Sequence, residues 1–262
     1  MRRAAALAAI ALAACGSALH EPSPLDVYAP HQAAGRAPAE LVRDADAAWA
    51  ARGQSGRVAA AQGMYLDAAV ADPRAVDGLV GAMRAIAWRI EYEPGVDKER
   101  FAEEGVELGQ WCQRRAPREP ACDYRLALAL GQLAREHASR ANDALDRMVS
   151  LLRKTIAAAP RLDDAGPHRV LALVLLRAPA WPAGPGDNDA ALDEAKAAIE
   201  LFPSSVDNLL VLGEALAATD DAAGARAAYT KAITLATAAR ASGNPDAERW
   251  LAEARAGTSK LR

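Results

Sequence analysis

From Pro38 onward the chain runs through stretch after stretch of Ala- and Leu-rich sequence with apolar residues three and four apart, and its prolines and glycines cluster in short breaks between them. That spacing puts the apolar side chains on one face of a 3.6-residue helix, and Ala and Leu rank among the best helix formers. The stretches fall at 38–52, 55–71, 75–91, 97–115, 121–138, 141–159, 166–178, 187–201, 205–219 and 221–241, with a short terminal one at 245–256. None alternates apolar and polar residues as a half-buried strand does. Aromatic residues make up only 5% of the chain, which further disfavours sheet. The expected fold is all-α.

The stretches repeat. Val206 to Thr237 reads VDNLLVLGEALAATDDAAGARAAYTKAITLAT and resembles a tetratricopeptide (TPR) repeat. Leu212-Gly213 sits in its first helix, Asp220-Asp221 makes the turn, and Ala225, Tyr229 and Ala232 recur at helical spacing on its second. Two helices approach closely only where small residues meet, with a large one filling the gap beside them. Leu171-Ala172 and Leu130-Gly131 hold the equivalent place upstream, at intervals of 41 residues each. A typical period is about 34, so each interval carries roughly seven extra residues. In one interval the excess is the loop PAWPAGP (179–185), and in the other a longer turn or a second helix. Two degenerate helix pairs are expected in 38–115, with Tyr65, Ala68 and Pro73 closing one and Trp111 in the last helix of the other. Together these make a TPR-like solenoid of four to five antiparallel helix pairs, about 10–11 helices in all.

The amino terminus reads differently. Met1-Arg2-Arg3 is a short positive region and Ala4 to Ala14 an unbroken apolar run. Spanning a bilayer takes about 20 apolar residues, so the run fits a signal-peptide core and is too short for a membrane helix. Leu12-Ala13-Ala14-Cys15-Gly16-Ser17 resembles the bacterial lipobox, which makes Cys15 the acylated first residue of the mature chain. The alternative is ordinary secretion with cleavage near Ala13-Ala14. A second acyl chain on the amine turns reversible membrane binding into stable anchoring. Because no Asp follows Cys15, sorting leans to the outer membrane over the inner, with the protein facing the periplasm. The expected domains are therefore a leader at 1–14, an acylated Cys and flexible tether at 15–37, and a helical repeat domain at 38–262. His20 and His31 fall in the tether and read as solvated.

Removing Arg2 and Arg3 with the leader changes 31 basic against 34 acidic side chains to 29 against 34, a net charge of −5. A chain of that sign has no electrostatic reason to seek nucleic acid or anionic lipid, and its arginines are scattered.

Three segments carry a more specific likeness: ACDYRLALALG (121–131), AGPHRVLALVLLRAPAWPAGPGDNDAALDEAKAAIELFP (165–203) and LLVLGEALAATDDAAGA (209–225). Together they resemble the TatT-type lipoproteins, TPR scaffolds associated with TRAP transporters. The likeness is good over 110–235 and poor over 38–110. It implies a helical scaffold with an apolar channel or cleft, able to form a homo-oligomer and serving a solute-binding protein.

Individual residues leave alternatives open. Trp181, between two prolines, is either an aromatic contact at the mouth of a groove or a cover over the helices at 166–178 and 187–201. His168 and Arg169 follow Gly166-Pro167 in a first helical turn, where they can hold an anion or carboxylate or simply occupy the surface. His137 lies in the charged stretch REHASR and reads as solvated. Cys112 and Cys122 flank the break between two antiparallel helices and either form a disulfide or stand as separate buried thiols. Two Cys without nearby His fall short of a metal site. PAGPGDND (182–189) lacks the Gly-Lys-Ser/Thr ending of a phosphate loop, and a turn with Asp187 as helix cap accounts for it. Asp163-Asp164 and Asp220-Asp221 read as turn and cap residues. No protease, hydrolase or metal-hydrolase signature occurs, and no cofactor is expected.

The leading expectation is a non-catalytic, envelope-anchored scaffold that holds a protein partner or a small apolar ligand on the concave face made by the first helices of each pair. Tyr124, Arg125, His168, Arg169, Leu210 and Glu214 are the expected groove or rim positions, with Trp181 beside them. An envelope-assembly adaptor that docks peptide segments is the second reading, and an enzyme a distant third.

Overall fold

The computed structural model describes residues 17–32 and 35–261. The leader and Cys15 lie outside the described residues. Eleven α-helices are found among these residues: α1 Pro38–Ala50, α2 Arg57–Ala71, α3 Asp77–Tyr92, α4 Lys98–Arg115, α5 Pro120–Glu136, α6 Ala141–Ala158, α7 Leu162–Arg177, α8 Asn188–Leu201, α9 Val206–Ala218, α10 Ala222–Ala241 and α11 Ala247–Lys260. Their starts follow local chemistry. Asp97, Asp187, Ser205 and Asp221 each accept a bond from a backbone N–H of the following first turn. Pro38 and Pro120 stand at first helical positions, where no N–H is needed. Helix ends agree with the sequence pattern to within two residues except at the start of α7 and the end of α11, where they differ by four.

Consecutive helices pack as hairpins, giving five pairs and a closing α11. The odd-numbered helices also touch one another in series, from α1–α3 through α9–α11. They therefore form the inner, concave layer, and the even-numbered helices the outer one. This is the expected all-α, TPR-like solenoid. Close approach of consecutive helices, within and between pairs, depends on glycine. A Cβ on Gly81 would come within 2.5 Å of the Tyr65 ring, and one on Gly213 within 2.6 Å of Tyr229. Tyr229 is gripped on its other side by Gly257 of α11.

One apolar core runs from α1 to α8 through Tyr65, Ile86, Leu108, Leu126, Leu130, Leu152 and Leu171. A smaller one joins α9, α10 and α11 through Leu209, Tyr229 and Leu251. Ala172, Ala195, Val211 and Ala215 form the seam between them. Leu210, expected at the groove or rim, belongs to the smaller core at 8% exposure. The solenoid also meets itself end to end. Arg52, just after α1, pairs with Asp246 before α11 at 2.6 Å, and Arg249 of α11 stacks 5.5 Å above the Tyr92 ring of α3.

The segment before α1 is no free tether where it is described. Ala18, Leu25 and Ala29 are buried, and residues 17–32 form a strap across α6, α4 and α2 of the outer layer. The Ala18 N–H donates to Asp143, while the Ser23 N–H and Tyr28 hydroxyl both donate to Glu107, at 2.6 and 2.5 Å. Trp111 Nε1 donates to the Ser23 carbonyl, and the His31 N–H to Asp67. His20 sits 2.9 Å from Glu107 and His31 Nε2 lies 2.8 Å from the Asp26 carbonyl, so neither is merely solvated. The strap satisfies its backbone through long-range side chains, which leaves no periodic trace in sequence. Cys112 of α4 and Cys122 of α5 are joined as a disulfide, with Cα atoms 5.3 Å apart. Among the described residues no helix is long and apolar enough to cross a membrane.

Candidate functional site

The inner layer holds most of the charged residues that face one another across helices. Each of its five contacts carries an ion pair: Asp46–Arg84 between α1 and α3 (3.1 Å), Glu91–Arg135 between α3 and α5, Asp163–Arg125 between α7 and α5 (3.7 Å), Arg177–Glu214 between α7 and α9 (2.8 Å), and Asp207–Arg249 between α9 and α11 (3.0 Å). Exposed pairs of this kind contribute roughly 0–1 kcal/mol each, so the series matters less for stability than as a pattern of alternating charge. Aromatic rings lie among the pairs. The Arg84 guanidinium sits 4.5 Å from the Trp49 ring centre, Trp88 packs on Tyr92 at 5.4 Å, and Trp250 Nε1 donates to Asp207 at 2.8 Å. Tyr92 is 45% exposed and offers the concave face a ring already flanked by Arg249.

The most elaborate part of the face is the start of α7. Asp163, Asp164 and Ala165 have φ of 53°, 54° and 62°, a full turn of left-handed backbone that precedes the right-handed helix from Gly166. Left-handed residues other than glycine cost about 1–2 kcal/mol each and persist only where surroundings enforce them. Here the enforcement is visible. The Tyr124 hydroxyl donates to Asp163 at 2.8 Å. Arg169 donates to the carbonyls of Asp163 and Asp164, both at 3.3 Å, and to Asn208 Oδ1 at 2.8 Å. Fully buried Asn208 donates in turn to the carbonyls of Asp164 (2.9 Å) and Ala198 (3.2 Å). Gly166 leaves the room that Tyr124 fills, since a Cβ there would collide with its hydroxyl. Burial alone would raise the Asp163 carboxyl, but Arg125, Arg169 and the Tyr124 hydroxyl hold it below the ordinary aspartate value. The Tyr124 hydroxyl is itself pushed up, by burial first and then by the Asp163 charge.

The expected site residues separate accordingly. Tyr124, Arg125 and Arg169 converge on Asp163, and Glu214 joins the same face through Arg177. His168 turns to α8 instead, with Nδ1 2.6 Å from Glu194, and so ties an inner helix to an outer one. Trp181 is 86% exposed and lines an outer cavity of about 520 Å³ with Asp146, Val149, Ser150 and Arg153 of α6, so it does not cover its neighbouring helices and does not reach the concave face. His137 is mostly buried, 3.3 Å from both Glu99 and Glu103, which corrects its reading as solvated. Asp163 and Asp164 are not helix caps, whereas Asp187 and Asp221 are. Arg84, Tyr92, Arg177, Asn208 and Arg249 had no place in the sequence reading. A signal existed for Arg84: it is the lone charge in the apolar run GLVGAMRAIAW (78–88), as Arg125 is among the aliphatic residues that follow it. Among the described residues no group of three or more His, Cys, Asp or Glu is placed to hold a metal ion.

The architecture defines a tetratricopeptide-type solenoid, and a known structure agrees. A thermophilic TPR protein from Thermus thermophilus (TTC0263) superposes with a TM-score of 0.63 at 21% identity, covering 83% of this chain and 98% of its own. MamA from Desulfovibrio magneticus RS-1 is more distant, with a TM-score of 0.49, 18% identity and coverage of 77% and 96%. The likeness to the Thermus protein establishes the fold. No family model matches the chain, and neither does any curated protein.

Proposed function

We propose that this chain is a non-catalytic docking scaffold of the cell envelope, whose concave face receives a polar, charged segment of a partner protein. The observation that carries the reading is the series of ion pairs: every inner-layer contact is bridged by one. A face of that kind competes for the charges and hydrogen bonds of a polypeptide, and is poorly suited to burying a small apolar ligand. It therefore favours the peptide-docking adaptor over a carrier of hydrophobic solute. Anchoring through acylated Cys15 is supported by the leader and lipobox, and the Cys112–Cys122 disulfide suits an oxidising compartment. An accessory role beside a TRAP-type transporter is the narrower form of the proposal and rests on the resemblance over 110–235.

A photo-crosslinking residue placed at Tyr92 of the concave face, and separately at exposed Ser150 on the outer face, tests this in native membranes. Adducts from position 92, absent from 150 and weakened by Glu214→Lys, are expected. Equal labelling from both positions, or none, would overturn the docking proposal. Cys15→Ala should release the protein from membranes together with its lipid. A wild-type chain that is soluble and carries no lipid would remove the envelope placement.

A further inference from the structure

We propose that Tyr124, Arg125 and Arg169 form a carboxylate-receiving site on the concave face, filled in this structure by the protein's own Asp163, and that a carboxylate arriving from outside takes Asp163's place. The proposal rests on the concave face being the binding face. Its footing is the state of Arg125. This guanidinium is only 12% exposed and is held 5.0 Å from the Tyr124 ring centre, yet its Nε is buried without a partner. Its carboxylate, on Asp163, stands 3.7 Å away, and Arg169 Nη2 is also 3.7 Å from Asp163. A good charge-assisted bond from guanidinium to carboxylate is about 2.7–2.9 Å and often bidentate. Two arginines are thus fixed around a carboxylate that satisfies neither fully.

The remaining features suit an exchange. The Asp163 side chain is 39% exposed, so the site opens to solvent in the groove. It rides on the left-handed turn, and letting that turn relax offsets part of the cost of withdrawing Asp163. Arg169 keeps its 2.8 Å bond to buried Asn208 whichever carboxylate is present, and Arg84 of α3 adds to the positive potential at the same point. The carboxylate can belong to a small organic acid or to the C-terminus of a polypeptide. Both present the same planar pair of oxygens to Arg125.

The test compares full-length protein, wild type and Asp163→Ala, by calorimetric titration with three probes: sodium acetate, N-acetyl-Ala-Ala as the free acid, and the same dipeptide as its C-terminal amide. Asp163→Ala is expected to bind the free acid at least tenfold more tightly than wild type, with no binding of the amide, and a second change, Arg125→Gln, should abolish the gain. Acetate binding as tightly as the dipeptide acid supports the site with small organic acids as its ligands, while a clear preference for the dipeptide supports it with a chain terminus. A folded Asp163→Ala protein that binds no probe, or binds acid and amide alike, overturns the proposal. If Asp163→Ala does not fold, Asp163→Asn keeps the shape and the Tyr124 hydrogen bond while removing the charge. A gain of about threefold is then expected, and no gain overturns the proposal. A partner crosslinked at position 92 without any carboxylate dependence would leave the scaffold standing and remove this site alone.

Discussion

The α9–α11 region and the α5–α7 region occupy successive parts of one solenoid and are held together by different means. In α9–α11 the decisive contact is apolar: Tyr229 wedged between Gly213 and Gly257, over a small core with Leu209 and Leu251. Around α5–α7 the chain departs from the regular repeat, and polar ties are added to the apolar core of Leu126, Leu130, Leu152 and Leu171. A disulfide joins α4 to α5, the Asp163 turn is fastened by Tyr124, Arg169 and Asn208, and the strap lies across the outer helices. The difference teaches that size complementarity is enough to hold a regular pair, while an irregular stretch adds specific, directional contacts that fix its backbone. The proposed carboxylate site lies in the irregular part.

The largest expected effect attacks the regular region. Tyr229→Ala should cost about 3–5 kcal/mol, the range for removing a buried aromatic side chain. Hydrogen exchange should show the loss concentrated in α9–α11. Equal loss of protection throughout α1–α8 would show that the two cores unfold as one unit and would dissolve the contrast. Next comes the staple of the irregular region. The Cys112→Ala/Cys122→Ala pair should cost about 2–3 kcal/mol in denaturant melts, because the crosslink closes a short loop in the unfolded chain. The reduced wild type should match the double variant.

These two regions were unequally legible. The α9–α10 pair could be read residue by residue, because Gly213, Tyr229 and Ala232 act on partners within the same hairpin and helical spacing reveals them. Tyr124, Arg125 and Arg169 were singled out from sequence, but their meeting point was not. Asp163 looks like an ordinary turn residue, and nothing local announces a left-handed turn in a stretch without glycine at those positions. The strap looks like a tether for the same reason. Its Glu107, Trp111 and Asp143 partners lie 79 to 125 residues away in sequence. Leu210 shows the opposite case, since helical periodicity does not say which of two apolar faces meets a neighbour.

The strap gives a third, smaller effect. Glu107→Gln weakens the charge-assisted bonds to Tyr28, His20 and the Ser23 N–H, and should cost about 1–2 kcal/mol at neutral pH. Burial acts to raise the Glu107 carboxyl, but the hydrogen bonds from Tyr28, His20 and Ser23 outweigh it and hold it below the ordinary glutamate value. Its contribution is therefore present above the unfolded-state value, near about 4.3, and is lost as pH falls through the lower folded value. Glu107→Gln should flatten the acid limb of the stability curve there. Asp163→Asn should flatten it in the same direction, below the ordinary aspartate range, but with protection lost around α7 and not in the strap. Identical exchange patterns in the two variants would mean that the acid limb reports a single global transition.

The smallest expected effect joins the two regions. Arg52 and Asp246 are 17% and 20% exposed and bonded at 2.6 Å, so they lie between a surface pair and a buried one. Surface pairs contribute roughly 0–1 kcal/mol, and Arg52→Ala should fall near the upper end of that range. Its larger consequence is geometric. Arg52–Asp246, the Gly53–Pro245 contact and the stacking of Arg249 on Tyr92 are what bring the last helices against the first. Removing the first of these leaves closure to the other two, which are short-ranged and weak. Spin labels at exposed Gln54 and Ser242 should therefore show a longer mean separation and a broader distribution in Arg52→Ala than in wild type, while the melting curve barely moves. An unchanged distribution would mean that the curvature is set within the helix pairs themselves, by contacts such as Gly213 with Tyr229, and that the meeting of the ends is its consequence.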